Sequence, residues 1–485
     1  MVAPMTSQAY STDSRSFRFE SSLADPVAVG SYVTVTTDAG DSYLGQIFEA
    51  SIIDDRASGA NRRLAGGGRL LNRIGDDGFR PLDRTTVFAD ADLASADPGI
   101  VRSHFAAARG STAAIELGNI QGSPDIPAVL QAKGFGRHTF LCGQSGSGKT
   151  YSLGVLLEQL LLETDIRVAV IDPNSDYVNI GSIRPQETAG FGADEYRLLA
   201  ERYDEISSRV FVFGGEGSDR RLQVVFGRLS FEQQTMVLGL DPLADAEEFN
   251  AFVRTVRQHD RTDYTLGDLM TMIRSSFDDD VRRLGLRIDN LGMQQQSIWA
   301  GSGDTVMDQL GSDWRMLVTD IGSLPSAVEG SIAAAGLLAH LWERRRERQP
   351  VLVVIDEAHN ICPQDPVDAN QALATEHVIR IAGEGRKYGI YLLLSTQRPA
   401  KVHRNVISQC DNLLLMKMNS ASDLASLTET FSYAPAGLVE RAAGFQLGEG
   451  LAAGKIAPDP LLFKSGRRLT LEGGSDVPAS WARAR

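Results

Sequence analysis

The sequence predicts an α/β protein with a mainly parallel sheet, a small N-terminal β-barrel and a helical insertion. Short, largely apolar strand-like runs recur at Met316–Thr319, Val351–Ile355, Ile390–Leu394 and Leu413–Met416, with helical segments between them. Such continuous runs suit strands buried on both faces of a parallel sheet. Phe140–Cys142 reads as a strand, a glycine-rich turn follows, and Thr150–Leu162 has helical apolar spacing before a further strand at Val168–Ile171. Strand, loop, helix, strand is the opening of an α/β domain. Earlier in the chain, Val27–Asp92 alternates short apolar runs (Val33–Thr36, Tyr43–Phe48, Thr86–Phe88) with Gly, Asp and Ser turns, the pattern of a small antiparallel barrel or sandwich.

Taken in order, these elements divide the chain into five parts: a barrel domain over 1–118, a first core segment over 119–230, a helical insertion over 231–302, a second core segment over 303–455 and a C-terminal tail over 456–485. Within the barrel, Arg56–Arg73 is glycine-rich and carries Arg56, Arg62, Arg63, Arg69 and Arg73. It is expected to be a flexible, solvated loop, with an arm for nucleic acid or a partner protein as the alternative. Phe231–Ser302 is rich in Gln, Arg, Leu and Met at helical spacing and reads as a packing or oligomerisation module.

The bulk numbers exclude several classes. At 42% hydrophobic and 23% charged the 485 residues are ordinary for a soluble globular protein. No apolar run reaches the roughly 18 residues needed to cross a bilayer, and Met1–Phe19 lacks the apolar stretch of a secretory signal. Cys142, Cys362 and Cys410 have no metal-ligand spacing and are expected to be small buried residues in a reducing cytoplasm. A formal net charge of -14 argues against a generally sticky nucleic-acid binder; a grip on DNA would need positive charge concentrated in one place.

Gly143-Gln-Ser-Gly-Ser-Gly-Lys-Thr150 matches the phosphate-loop pattern. Gly143, Ser145, Gly146, Ser147 and Gly148 let successive N–H groups face phosphates, Lys149 supplies a compact charge, and the Thr150 hydroxyl suits Mg²⁺. Val351–Ile355 then delivers Asp356 to the carboxyl edge of the sheet as the second Mg²⁺ residue, with Glu357 one step on as general base for the attacking water. Leu392-Leu-Leu-Ser-Thr-Gln397 ends in polar groups, of which Gln397 could report on the γ-phosphate. Asp172 is either near that water and metal or simply a turn-forming Asp-Pro. The chemistry expected is ATP hydrolysis with Mg²⁺.

Asp356-Glu-Ala-His359 spells the box of DEAH helicases, but those carry two tandem cores and only one phosphate-loop core is visible here. With a single core the completing charge must come from a neighbour, which implies a ring. Arg386, between helix Glu376–Gly383 and the Gln397 strand, is the first candidate for that arginine finger, ahead of Arg137 and Arg380, with a surface salt bridge as the alternative. Lys401, His403 and Arg404 lie just past Gln397 and are the first candidates for DNA contacts. Arg344, Arg345, Arg346 and Arg348 share their helix with Glu343 and Glu347 and read as a solvated face.

The phosphate loop, Val-Ile-Asp-Pro at 170–173, Ile-Asp-Glu-Ala-His-Asn at 355–360, Glu-Gly-Arg-Lys-Tyr-Gly at 384–389, Ser-Thr-Gln-Arg-Pro at 395–399 and Val-Ile-Ser-Gln-Cys at 406–410 together resemble the HerA branch of the HerA/FtsK ATPases. The resemblance runs from about Ile120 to Ala453. It implies a RecA-like core in a hexameric ring that drives double-stranded DNA through its pore with ATP, often beside a nuclease such as archaeal NurA or an anti-phage effector. It also implies phosphate, metal, base, sensor and finger roles for Lys149, Thr150, Asp356, Glu357, Gln397 and Arg386. The loop ends in Lys-Thr where the family has Lys-Ser, a chemically equivalent change. An assembly subunit that regulates an effector without essential translocation, and a motor of a secretion or conjugation system, are the alternatives.

Overall fold

The structure is a computed structural model that describes residues 8–23, 27–53, 62–75, 78–82, 87–109, 113–215, 220–258, 263–301 and 305–474. It separates into two compact units, one of Met1–Phe135, Gly143–Ser152 and Asp411–Gly466, the other of Gly136–Cys142, Leu153–Cys410 and Arg467–Arg485.

In the first unit, β1 (Gln8–Ser11), β2 (Ser16–Ser22), β3 (Tyr32–Thr37), β4 (Ser42–Ile53), β5 (Arg63–Gly75) and β7 (Phe88–Ser95) make a barrel in the order β2-β1-β7-β3-β4-β5, closed by pairing of β5 with β2; β6 (Gly78–Arg80) extends β5. Alternate residues point inward, as in the strictly alternating burial of β2 and β3. Phe17, Phe19, Val33, Val35, Tyr43, Ile47, Leu70 and Leu93 fill the interior.

Here the expected flexible loop is corrected. Residues 63–73 are strand, and Arg56 lies outside the described residues. Gly66–Gly68 are present for close approach: a Cβ on Gly66 would stand 2.0 Å from the Glu49 carbonyl, and one on Gly68 2.5 Å from the Phe17 ring. Two of its arginines are paired, Arg63 with Glu20 at 3.2 Å and Arg73 with Asp41, as is Arg18 of β2 with Glu49, while Arg69 is exposed.

The chain then forms a hairpin, β8 (Ala114–Ile120) and β9 (Ser123–Gln131), before entering the second unit. There β10 (His138–Cys142), β11 (Arg167–Asp172), β12 (Val210–Phe213), β13 (Met316–Asp320), β14 (Val351–Ile355) and β15 (Ile390–Thr396) lie in the order β12-β13-β11-β14-β15-β10, every pair parallel. All of β10, β13 and β14 is buried. Parallel pairing has one consequence for chemistry: all six carboxyl ends open on the same edge.

Between β12 and β13, helices Phe231–Val237, Ala246–Gln258, Leu266–Ser275 and Asp279–Asn290 occupy the 231–302 segment. The chain returns to the first unit with β16 (Cys410–Met416), β17 (Glu449–Gly454) and β18 (Leu461–Ser465), antiparallel to one another and to β8.

The expected tail from 456 is therefore ordered through Gly474, and Ser480–Arg485 fall outside the described residues. Its last described stretch packs in the second unit. Leu469 and Thr470 N–H groups donate to the Glu158 carboxylate at 2.8 Å each, Leu471 N–H to Ser182 O at 2.9 Å, and Gly473 N–H to Asp176 O at 2.9 Å. Arg468 is fully buried against Gly154, where a Cβ would meet its guanidinium carbon at 2.4 Å.

Candidate nucleotide site

In the first unit, Gly143–Thr150 adopts the conformation its glycines permit. Gly146 and Gly148 have φ of 73° and 88°, left-handed values that other residues adopt only with strain. The loop is held from behind: Gln144 N–H donates to Lys417 O at 2.8 Å, Asn419 N–H to Gln144 Oε1 at 3.0 Å, and Gly448 N–H to Ser147 O at 2.9 Å. A Cβ on Gly143 would stand 2.6 Å from Met416 Cβ. Ser145 and Gly146 are exposed, Lys149 is buried and Thr150 half-buried. The helix Lys149–Glu163 begins directly after the loop, so its positive end faces whatever the loop holds.

In the second unit, the carboxyl edge gathers acids and hydroxyls. Asp356, wholly buried, accepts from Ser395 Oγ at 2.6 Å, from Glu357 N–H at 2.9 Å and from the Tyr177 hydroxyl at 3.5 Å. Glu357 has φ 42°, a left-handed conformation for a non-glycine residue that costs on the order of 1–3 kcal/mol and follows directly from the end of β14. Its carboxylate accepts from Gln397 Nε2 at 2.9 Å and from Gln397 N–H at 3.4 Å, with His359 Nδ1 3.2 Å away. His359 Nδ1 also lies 3.0 Å from Thr396 Oγ1.

Asp172, buried one strand over, accepts N–H bonds from Tyr177 (2.8 Å), Asp176 (3.1 Å) and Asn174 (3.2 Å). Burial pushes its carboxyl up to about 7, partly offset by the Tyr177 and Asp176 donors and reinforced by the Asp356 charge. Asp320, at the end of β13, takes a 2.8 Å bond from Ser175 Oγ and is likewise raised by burial.

Asp356, Glu357, Gln397 and Asp172 are thus brought to one edge. Arg386 is not: it is exposed in the turn Gly385–Tyr388, ahead of β15, and the seven-residue strand sets it about 20 Å from Gln397. Arg137 precedes β10 at that same amino end, and Arg380 is exposed on helix Ala369–Glu384. Lys401 and Arg404 are exposed just past Gln397; His403 instead caps the short helix Arg404–Ile407, its Nδ1 accepting from Asn405 N–H at 3.2 Å. That segment is tied to residues after Glu357, by His403 N–H to Cys362 O (2.9 Å) and Gln364 N–H to Lys401 O (2.8 Å). Tyr177, His359 and Asp320 had no expected role, and Ser395 was expected only as one of the polar groups ending its strand. Ser395 carried a readable signal, a hydroxyl at the end of an apolar strand, whereas Tyr177 reaches the site only through the turn that follows β11.

The residues fit a nucleotide. Left-handed glycines leave the loop without side chains where phosphates would sit, and the buried Ser147 hydroxyl has no hydrogen-bond partner among the described residues. No group of three acidic, His or Cys side chains suited to a metal occurs among the described residues, so Mg²⁺ would need phosphate oxygens and water to complete its shell, its usual habit. All three cysteines are buried and outside disulfides, and burial pushes the Cys362 thiol up to about 12, which leaves no thiolate nucleophile there.

A family model described as "Helicase HerA, central domain" matches residues 115–328. The DNA double-strand break repair helicase HerA of Sulfurisphaera tokodaii is 25% identical over 391 residues, 77% of this chain and 74% of that protein. The corresponding helicase of Sulfolobus acidocaldarius is 22% identical over 411 residues, covering 76% and 73%. Among solved structures, VirB4 of Thermoanaerobacter pseudethanolicus aligns with a TM-score of 0.49 at 16% identity, over 73% of this chain and 96% of that one. No helix of the described residues is long and apolar enough to cross a membrane. With a HerA central-domain model matched over 115–328 and relatives aligned over three-quarters of its length, the chain is similar to the HerA helicases, a likeness that supports a HerA-like ATPase.

Proposed function

We propose that this ATPase is a cytoplasmic ring motor, six subunits in the HerA manner, that moves double-stranded DNA beside a nuclease or defence effector. The observation that carries the chemistry is the carboxylate pair at the end of β14. Asp356 is buried and fixed by Ser395, while Glu357 is held in a strained backbone with its carboxylate aimed by Gln397. Bound Mg·ATP would supply the electrophilic γ-phosphoryl group. On this reading Lys149 and the loop N–H groups would hold phosphate and Thr150 would face the metal, while Asp356 would serve as the second metal residue and Glu357 as base for the attacking water. Gln397 holds the Glu357 carboxylate in place. Arg386, at the opposite end of β15 from Gln397, would serve a neighbour's site.

DNA enters this reading through the names of the relatives and through Lys401 and Arg404. Their segment is hydrogen-bonded to the stretch after Glu357, so a pull on one is felt by the other. Within the barrel, Arg63 and Arg73 are paired with Glu20 and Asp41, so these two are engaged inside the barrel. ATP turnover should rise at least about fivefold with duplex DNA at low salt and lose that stimulation steeply as salt increases. Turnover indifferent to duplex DNA at every salt would refute the DNA motor and favour the effector-assembly role.

A further inference from the structure

We infer that Trp342, Arg345 and Tyr388 form a bracket of positioning residues that sets the reach of Arg386 into a neighbouring subunit's site. This rests on the reading of Arg386 as a finger acting between subunits. The basic run at 344–348 is not the uniform solvated face its composition suggests. Arg344 pairs with Glu347 through two 3.0 Å bonds. Arg345 turns the other way, with its guanidinium 4.6 Å from the Trp342 ring centroid and 5.5 Å from that of Tyr388. The two rings meet edge-on at 5.7 Å and 83°, and Arg345 Nη1 donates to Trp342 O at 2.8 Å. One cation therefore bridges the end of helix Ala327–Glu343 to the turn Gly385–Tyr388.

Tyr388 stands two residues after Arg386, so the bracket grips the turn on which Arg386 is mounted. The turn is tight on its other side as well: a Cβ on Gly385 would stand 2.7 Å from Ile390 O, and Gly389 closes it at φ 84°. An exposed arginine on a long side chain gains accuracy only if its backbone is fixed. Displacement of a catalytic group by about 1 Å can cost on the order of 10²-fold in rate. A cation stacked on two rings fixes the turn without occupying the surface that a neighbour must approach.

The test is ATP turnover by the full-length protein, alone and in equimolar mixtures of variants. Arg345→Ala, and independently Tyr388→Leu, should lower kcat about 10- to 100-fold with ATP KM and assembly mass unchanged, whereas Arg345→Lys and Tyr388→Phe keep most of the activity. Mixing Arg345→Ala with Glu357→Gln should restore turnover, because the Glu357→Gln subunit presents a correctly held finger to an intact Glu357; mixing Arg345→Ala with Arg386→Ala should not. Unchanged kcat in Arg345→Ala and Tyr388→Leu, or a loss that Glu357→Gln subunits fail to relieve, overturns the bracket. If Arg386→Ala and Glu357→Gln fail to complement each other, the between-subunit finger itself is wrong, and the bracket falls with it.

Discussion

The six parallel strands of the second unit have opposite chemistry at their two ends. At the carboxyl end stand Asp172, Asp320, Asp356 and Glu357, with Thr396 and Gln397. At the amino end a basic residue begins or shortly precedes every strand: Arg137, Arg167, Arg209, Arg315, Arg348 and Arg386. Several of these serve packing. Arg315 is buried and donates to Leu161 O at 3.1 Å, and Arg167 lies 5.3 Å over the Trp314 ring. Arg137, Arg348 and Arg386 are exposed, and of these Arg386 stands on the turn that Arg345 braces through Tyr388. A sheet whose acids and exposed finger candidate sit a strand's length apart separates the two within one subunit, which is the contrast behind the proposal that the reaction is divided between copies.

The sharpest way to break the comparison is to remove one group from each end. Arg386→Ala should lower kcat by about 10³-fold or more, and Glu357→Gln by about 10²- to 10⁴-fold, both with nucleotide affinity nearly retained in a direct binding measurement. An Arg386→Ala enzyme within twofold of the parent would show that the amino end has no part in the chemistry.

A smaller effect probes the carboxyl end alone. Ser395→Ala removes the 2.6 Å bond to Asp356, and a hydrogen bond to a charged group contributes about 1.5–3 kcal/mol. The Mg²⁺ concentration for half-maximal turnover should rise about tenfold, while saturating kcat changes little. If kcat falls and the Mg²⁺ dependence stays put, Ser395 acts on the water side instead.

The smallest expected effect concerns the brace beneath that edge. Burial pushes the Glu158 carboxyl up to about 7 from 4.5, against the lowering influence of the Leu469 and Thr470 N–H groups and of Arg468. A carboxyl whose folded value is raised binds its proton more tightly in the folded state. The stability this contributes is complete below the unfolded value and is lost as pH rises through the folded one. Between pH 4.5 and 7 the parent should therefore lose stability relative to Glu158→Gln, on the order of 1 kcal/mol, read from denaturant midpoints across that window. A flat difference would mean that the N–H donors and Arg468 keep Glu158 ionised throughout.

Much of the site was legible because its carriers are local. A glycine loop between an apolar strand and a helix, and an apolar strand ending in Asp356–Glu357, announce themselves within ten residues. What escaped depends on partners far away in sequence. Gly66–Gly68 have the composition of a flexible linker, and only the presence of Phe17 and Glu49 makes them a barrel seam. Residues 467–474 look like a polar tail until Glu158, Asp176 and Ser182 are placed beside them. Arg344 with Glu347 fits the helical-face reading of 344–348; Arg345 does not, because the Tyr388 ring it meets comes from another element. The strand Val210–Phe213 was missed because it is a short, half-buried edge strand without the fully apolar signature of its neighbours.

Arg468 also bears on how the chain is made. Its guanidinium fills the slot left by Gly154, and the amides that follow it satisfy Glu158 on the same helix. The partners are separated by more than 300 residues, a closure whose entropy must be met before any contact rewards it. The helix that begins at the phosphate loop is therefore synthesised early yet keeps an open groove and an unsatisfied carboxylate until residue 468 has left the ribosome.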